Sequence, residues 1–299
     1  MFINFAKNGD YDAMKHLELG FVGFGLIGGS IARSLKKQNE DVSVHVYSRR
    51  KNPALDEGMA EGIIDSIWYE IDERFSTCDI IFLCAPVLKN TDYLSVLKPL
   101  LKPGCILTDV GSVKGNICKK AAELGLSRQF IGGHPMAGRH FSGYAYSTKT
   151  MYNGASMVLV PEDLNDTKSI ERAKKLLSPI HFGKFTICDY DRHDAMIAFT
   201  SQMAHVVSNA YVKSPTAKNH DGFSAGSYKD LTRVAWLNET MWTELFLENK
   251  KHLIKELDYF ITALQEYKTA MENDDAETLK KLLADGKHCK EEIDGITGE

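Results

Sequence analysis

Short apolar runs alternate with longer amphipathic stretches from Leu17 to about Asp189. The runs Leu17–Val22, Val42–Tyr47, Ile80–Ala85, Cys105–Val110 and Ser156–Val160 are β-branched or continuously apolar and bounded by turn residues, which predicts buried strands. Ile27–Lys37, Pro53–Glu61, Thr91–Leu101, Lys114–Leu124 and Thr167–Leu177 lie between them with helix length and helix spacing. This alternation predicts an α/β unit, a doubly wound parallel sheet with helices on both faces. Beyond Asp189 the strand signals stop, and residues 191–213, 238–271 and 275–293 are long helical patterns. The expected organisation is an extension over 1–16, with Met14 as an alternative start, a sheet domain over 17–189 and an all-α domain over 190–299. Those last helices are long for the domain they build, so a homodimer through them is expected.

Composition narrows the class of partner. With 43% hydrophobic and 25% charged residues, wholesale disorder is excluded. The balance of 36 basic and 40 acidic residues, without a long Lys/Arg block, leaves no electrostatic footprint for nucleic acid. No stretch approaches the roughly 18 apolar residues of a membrane helix. Met1–Lys7 lacks the basic start and long apolar core of a signal peptide. The six cysteines at 78, 84, 105, 118, 188 and 289 contain no C-x-x-C pair, and several sit inside apolar runs. They are expected to be buried, reduced thiols of a cytoplasmic protein, with neither disulfide nor metal site. A small-molecule partner remains.

The first strand supplies the chemistry of that partner. Gly23-Phe24-Gly25-Leu26-Ile27-Gly28 follows Leu19–Val22 and opens a helix, the order a Rossmann-type dinucleotide loop requires. Gly23, Gly25 and Gly28 would permit the tight turn and close backbone approach, while Leu26 and Ile27 begin the helix whose N-terminus faces a pyrophosphate. The plainer alternative is a strand–helix turn with no ligand. The second strand ends in Ser48-Arg49-Arg50, with no carboxylate to hold a ribose 2′-hydroxyl. A hydroxyl and two guanidinium groups suit a 2′-phosphate, so NADP is expected over NAD, unless both arginines are solvated loop charges. Ala85, Pro86 and Val110, at the ends of later strands, join the cofactor-binding candidates.

Two further segments fall past strand ends, Asp109–Gly115 and Gly132–Gly138. His134, in what reads as a Gly/Pro-rich loop, has little packing reason to be there. A neutral imidazole can take a hydroxyl proton while hydride leaves the same carbon. Ser112 could hold the ring or the substrate hydroxyl, or could cap the following helix.

Together Gly-Ser-Val-Lys at 111–114, Gly-Gly-His-Pro-Met-Ala-Gly at 132–138, Lys-Asp-Leu-Thr-Arg-Val-Ala at 229–235, Met241-Trp242 and Phe246–Lys250 resemble prephenate and arogenate dehydrogenases. The resemblance runs from about Leu17 to the last helix. It implies oxidative decarboxylation of a cyclohexadienol, prephenate first and arogenate as the alternative. His134 would be the base with Ser112 beside it, His205 would bind substrate and Arg233 would grip a carboxylate; Gly226 and Asp230 join them as substrate-binding candidates. On pattern alone His205 also reads as a core histidine, Arg233 as the partner of Asp230 three residues before it, and Trp242 as packing. As a donor without an acidic neighbour in sequence, His205 favours prephenate; the NADP reading leans towards arogenate. Arg139-His140 depart from the family, which often has a Glu there. The chain ends soon after the helices, so no regulatory domain or fused chorismate mutase is expected, and tyrosine inhibition would act at the active site. A β-hydroxyacid dehydrogenase would want a lysine in Ala195–Ser208, which has none. A non-catalytic dinucleotide sensor would have no need of His134, Ser112 and Arg233 together.

Overall fold

The computed structural model describes residues 16–38, 41–138 and 141–295. The expected extension, apart from His16, lies outside the described residues, as do Arg139 and His140.

The chain enters through β1 (Leu17–Val22), α1 (Leu26–Gln38), β2 (Val42–Tyr47), α2 (Pro53–Ala60) and a short β3 (Ser66–Trp68). It continues through β4 (Ile80–Leu83), α3 (Val87–Leu97), β5 (Ile106–Asp109) and α4 (Gly115–Glu123). These strands form one parallel sheet in the order β3-β2-β1-β4-β5. The order reverses beside β1, so the carboxyl ends of β1 and β4 flank the crevice where such sheets take ligands. Where both faces are covered the strand is apolar at every position, as in β4, whereas β2 buries Val42, Val44 and Val46 and leaves Ser43, His45 and Tyr47 half-buried. Phe21 stacks on Phe82 at 4.9 Å between ring centres.

A correction concerns Ser156–Val160. It is not part of the parallel sheet. β6 (Ile131–Pro135), β7 (Ser156–Pro161) and, after α5 (Thr167–Leu177), β8 (Lys184–Ile187) make a separate three-stranded sheet in which β6 and β7 are antiparallel. A parallel bridge between Leu107 and Phe130 brings β6 alongside β5. The segment before β7 is pinned to α1, where Ser30 Oγ accepts from Thr148 N at 3.0 Å and Arg33 Nε donates to Ser147 Oγ at 2.9 Å.

The remaining helices are α6 (Tyr190–Ile197), α7 (Met203–Tyr211), α8 (Gly226–Thr232), α9 (Glu239–Glu248), α10 (Lys250–Glu272) and α11 (Ala276–Asp294). A π-helical stretch, Ala198–Gln202, separates α6 from α7. The pattern read over 238–271 breaks at Asn249, whose backbone leaves the helical region. Two compact units result: the described residues up to Ile197 with Leu237–Glu248, and Ala198–Trp236 with the described residues from Asn249 onward. Thus α6 and α9, which the sequence places with the helices, cluster with the sheet. The ties are polar: Glu244 Oε1 on α9 accepts from Leu88 N at the start of α3, 3.1 Å away, and Asn116 on α4 donates to Glu248.

No described helix is long and apolar enough to cross a membrane. Five cysteines are buried or half-buried, and burial pushes the Cys78 and Cys105 thiols up to about 12. Cys289, on α11, is exposed, contrary to the expectation that all six are buried.

Candidate active site

The glycine loop has three different jobs. Gly23 takes φ +86°, and a Cβ there would lie 3.1 Å from the Cys84 carbonyl and Ala85 N, so the turn closes only without a side chain. A Cβ on Gly25 would meet nothing within 4 Å, which leaves an open cradle in front of α1. A Cβ on Gly28 would press on the Phe21 ring and Cys84 Sγ, at 3.4 and 3.3 Å, where α1 packs against the sheet. Leu26 and Ile27 supply the first turn of α1, which carries no acidic residue to oppose an anion. The residues present therefore fit a dinucleotide pyrophosphate.

At the neighbouring strand end Ser48 N donates to Trp68 O and Ser48 Oγ to Arg50 O, at 3.0 and 2.8 Å. The serine thus shapes the turn, and Arg49 and Arg50 are left exposed. After β4, the buried Asn90 accepts from Ala85 N and donates to Leu83 O, fixing the Ala85-Pro86 corner. Val110 belongs to the core, 5% exposed, so only its backbone is on offer to a cofactor.

His134 corrects the reading of its surroundings. It stands in β6, not in a loop. Gly133 beside it leaves room for β5: a Cβ there would meet the Asp109 carbonyl oxygen at 2.5 Å. This contact sets His134 at the carboxyl-end edge that the glycine loop shares. His134 is half-buried, and burial, His193 and the Lys114 charge hold its pKa well below the usual histidine range. The ring is therefore neutral near pH 7.

Beneath it lies a buried ion pair. Lys114 Nζ contacts Asp109 Oδ2, with side-chain exposures of 0% and 1%. Asp109 also accepts from Gly111 N at 2.8 Å and Gly133 N at 3.1 Å, so its oxygens are occupied on every side. The N-terminus of α4 is capped by Asp194 of α6, which accepts from Lys114 N and Gly115 N, both at 2.8 Å. Ser112 is not the cap. Asp194 also bonds His193 Nδ1 at 2.7 Å, and His193 Nε2 lies 2.9 Å from His134 Nδ1.

The other expected residues belong to the second unit. His205, half-buried on α7, donates from Nδ1 to Val234 O at 2.9 Å. Gly226 and Asp230 are exposed on α8, and Arg233 is exposed at the head of a short 3₁₀ turn, Arg233–Ala235. His205 and Arg233 are thus brought near each other through Val234. Trp242, on α9 in the first unit, packs at 5.4 Å against Phe246.

Residues 31–183 match the family described as prephenate dehydrogenase, nucleotide-binding domain, and residues 189–285 its dimerization domain. The chain belongs to the prephenate dehydrogenase family. It is 30% identical over 281 residues to a prephenate dehydrogenase of Lactococcus lactis, covering 91% of this chain and 76% of the relative. The crystal structure of Aquifex aeolicus prephenate dehydrogenase with hydroxyphenyl propionate and NAD+ superposes with a TM-score of 0.81 at 28% identity, covering 94% of this chain and all of that one. Synechocystis arogenate dehydrogenase superposes with a TM-score of 0.79 at 27% identity, covering 93% of this chain and all of that one.

As a member of the prephenate dehydrogenase family the chain is a nicotinamide-dependent oxidoreductase. Among its described residues no cluster of three or more His, Cys, Asp or Glu is arranged to hold a metal ion. Four residues of the site escaped sequence reasoning as functional: Asp109, Lys114, His193 and Asp194. Asp109 and Lys114 lie within the segment Asp109–Gly115, and their five-residue spacing across a strand–helix turn is the available signal. His193 and Asp194 had none, since Asp191-Arg192-His193-Asp194 reads as a polar helix start.

Proposed function

We propose that this chain oxidises prephenate to 4-hydroxyphenylpyruvate with loss of CO2, using NADP in preference to NAD. The observation that carries the reading is His134: a neutral, half-buried imidazole on the sheet edge shared with the glycine loop. Gly23, Gly25, Gly28 and the first turn of α1 would hold the dinucleotide, with Arg49 and Arg50 on the 2′-phosphate. When bound, the nicotinamide accepts the hydride. His134 takes the proton of the ring hydroxyl as that oxygen gains ketone character, and returns it to the same oxygen once loss of CO2 makes the ring aromatic. Ser112 orients the hydroxyl, and His205 and Arg233, with Gly226 and Asp230 beside them, bind the substrate carboxylate. A guanidinium fork suits that task through two charge-assisted bonds. A second copy of the chain would pair through the helical unit, where α10 leaves Ile254, Ile261 and Leu264 at least half exposed.

The test is the rate of nicotinamide reduction, with prephenate and arogenate crossed against NADP and NAD. Wild type is expected to be fastest with prephenate and NADP. Arg49→Ala/Arg50→Ala should raise the KM for NADP about tenfold or more, the loss of one to two charge-assisted bonds, and leave that for NAD within about twofold. An unchanged KM for NADP would make the arginines solvated loop charges, and a preference for arogenate would overturn the substrate assignment.

A further inference from the structure

The proton positions along the His134–His193–Asp194 chain follow from its hydrogen bonds. Asp194 accepts from two backbone N–H groups at the head of α4, so the ring nitrogen facing it, His193 Nδ1, carries a hydrogen. In a neutral His193 ring the other nitrogen, Nε2, is then an acceptor. It faces His134 Nδ1 at 2.9 Å, and one of the two must donate. With His193 in that form, His134 has its hydrogen on Nδ1 and its lone pair on Nε2. His193 and Asp194 are 2% and 4% exposed, so solvent offers His193 no competing partner. The charged groups that act on the pair are Asp194, bonded to His193, and Lys114 at the head of α4, with Asp109 from β5 on the Gly133 backbone beside His134. Lys114 opposes a second positive charge on the His134 ring.

We infer that His193 and Asp194 form a positioning dyad that fixes His134 in the tautomer whose outward nitrogen is free to take the substrate proton. This rests on the reading of His134 as the base. The dyad touches no substrate; it acts by hydrogen-bonding the far side of the ring, and Asp194 anchors it because its carboxylate is itself held by the α4 N-terminus. One carboxylate therefore couples the fold of the Gly-Ser-Val-Lys segment to the protonation pattern of the base.

The experiment pairs His193→Gln with His193→Leu in protein labelled with 15N-histidine. Glutamine places an oxygen near the position of Nε2 and can still accept from His134 Nδ1; leucine cannot. Long-range 15N–1H spectra read each tautomer directly. Expected are a hydrogen on His134 Nδ1 in wild type and in His193→Gln, and its migration to Nε2 in His193→Leu. The kcat for prephenate should fall about 10²-fold in His193→Leu with KM within about threefold, and less than tenfold in His193→Gln. A wild-type hydrogen on Nε2, or a tautomer unmoved by leucine, overturns the dyad. Migration in His193→Leu with turnover intact supports the dyad and overturns instead the assignment of His134 as the base. Both side chains form helices well, so α6 should survive either change, and matching far-UV spectra confirm it.

Discussion

His134→Asn lowers kcat by about 10²–10⁴-fold, the range a positioned general base contributes. Asparagine is the informative replacement because its amide N–H can stand in for Nδ1–H and keep the bond to His193. Only the outward nitrogen is lost. The pH profile carries a second signature. Burial, His193 and the Lys114 charge hold His134 neutral well below its ordinary range. A base with a lowered pKa loses its lone pair only at lower pH, so wild-type kcat/KM should stay flat from neutrality through pH ~6.5 and decline only below it. In His134→Asn that acidic limb should vanish along with the rate. Initial rates across this window check both, and near-normal turnover in the variant would remove His134 from the chemistry.

Lys114→Met destabilises the protein by about 3–5 kcal/mol, as expected when one partner of a buried ion pair is removed. Methionine fills a similar volume, yet it leaves the Asp109 carboxylate, 1% exposed, with only the Gly111 and Gly133 N–H groups beside it. Replacing Asp109 by Asn in the same chain removes the stranded charge while keeping an oxygen for one of those N–H donors. Asp109→Asn/Lys114→Met should therefore be more stable than Lys114→Met alone. Urea unfolding of wild type, the single variants and the double variant measures the coupling. A loss below about 1 kcal/mol in Lys114→Met would mean that the pair does not hold β5, α4 and β6 together.

The legibility of the chain follows from where its apolar residues are. β4 and β5 are buried at every position and β1 over its last four, so they are written as near-continuous buried runs, while β2 is legible as Val42, Val44 and Val46 alternating with half-buried positions. β6 has no such signature. Ile-Gly-Gly-His-Pro reads as a loop, because its place is set by the close approach of Gly133 to Asp109 rather than by side-chain burial. The same contact draws β7, an ordinary apolar strand, out of the parallel sheet. β3 is three residues long and β8 is half-exposed, too little pattern in either case.

The site divides along similar lines. Gly23, Gly25, Gly28 and His134 are legible because unusual residues stand at strand ends. Lys114, His193 and Asp194 are not, because a charge in sequence reads as a solvated face until its buried partner is known. His205 shows the limit from the other side. Chosen as a donor to substrate, it gives its Nδ1 hydrogen to Val234 O, so any neutral-ring contact through its other nitrogen would be as an acceptor. His205 is therefore not a donor that selects prephenate. The preference for prephenate rests on the likeness to prephenate dehydrogenases, and the crossed rate measurement tests it.

The most direct measurement mixes purified protein with prephenate labelled at the ring carboxylate and NADP, and follows reduced nicotinamide and released CO2 together. One CO2 for each nicotinamide reduced is the predicted result. Reduction without CO2, or no reduction with either nicotinamide, would contradict oxidative decarboxylation as the reaction of this site.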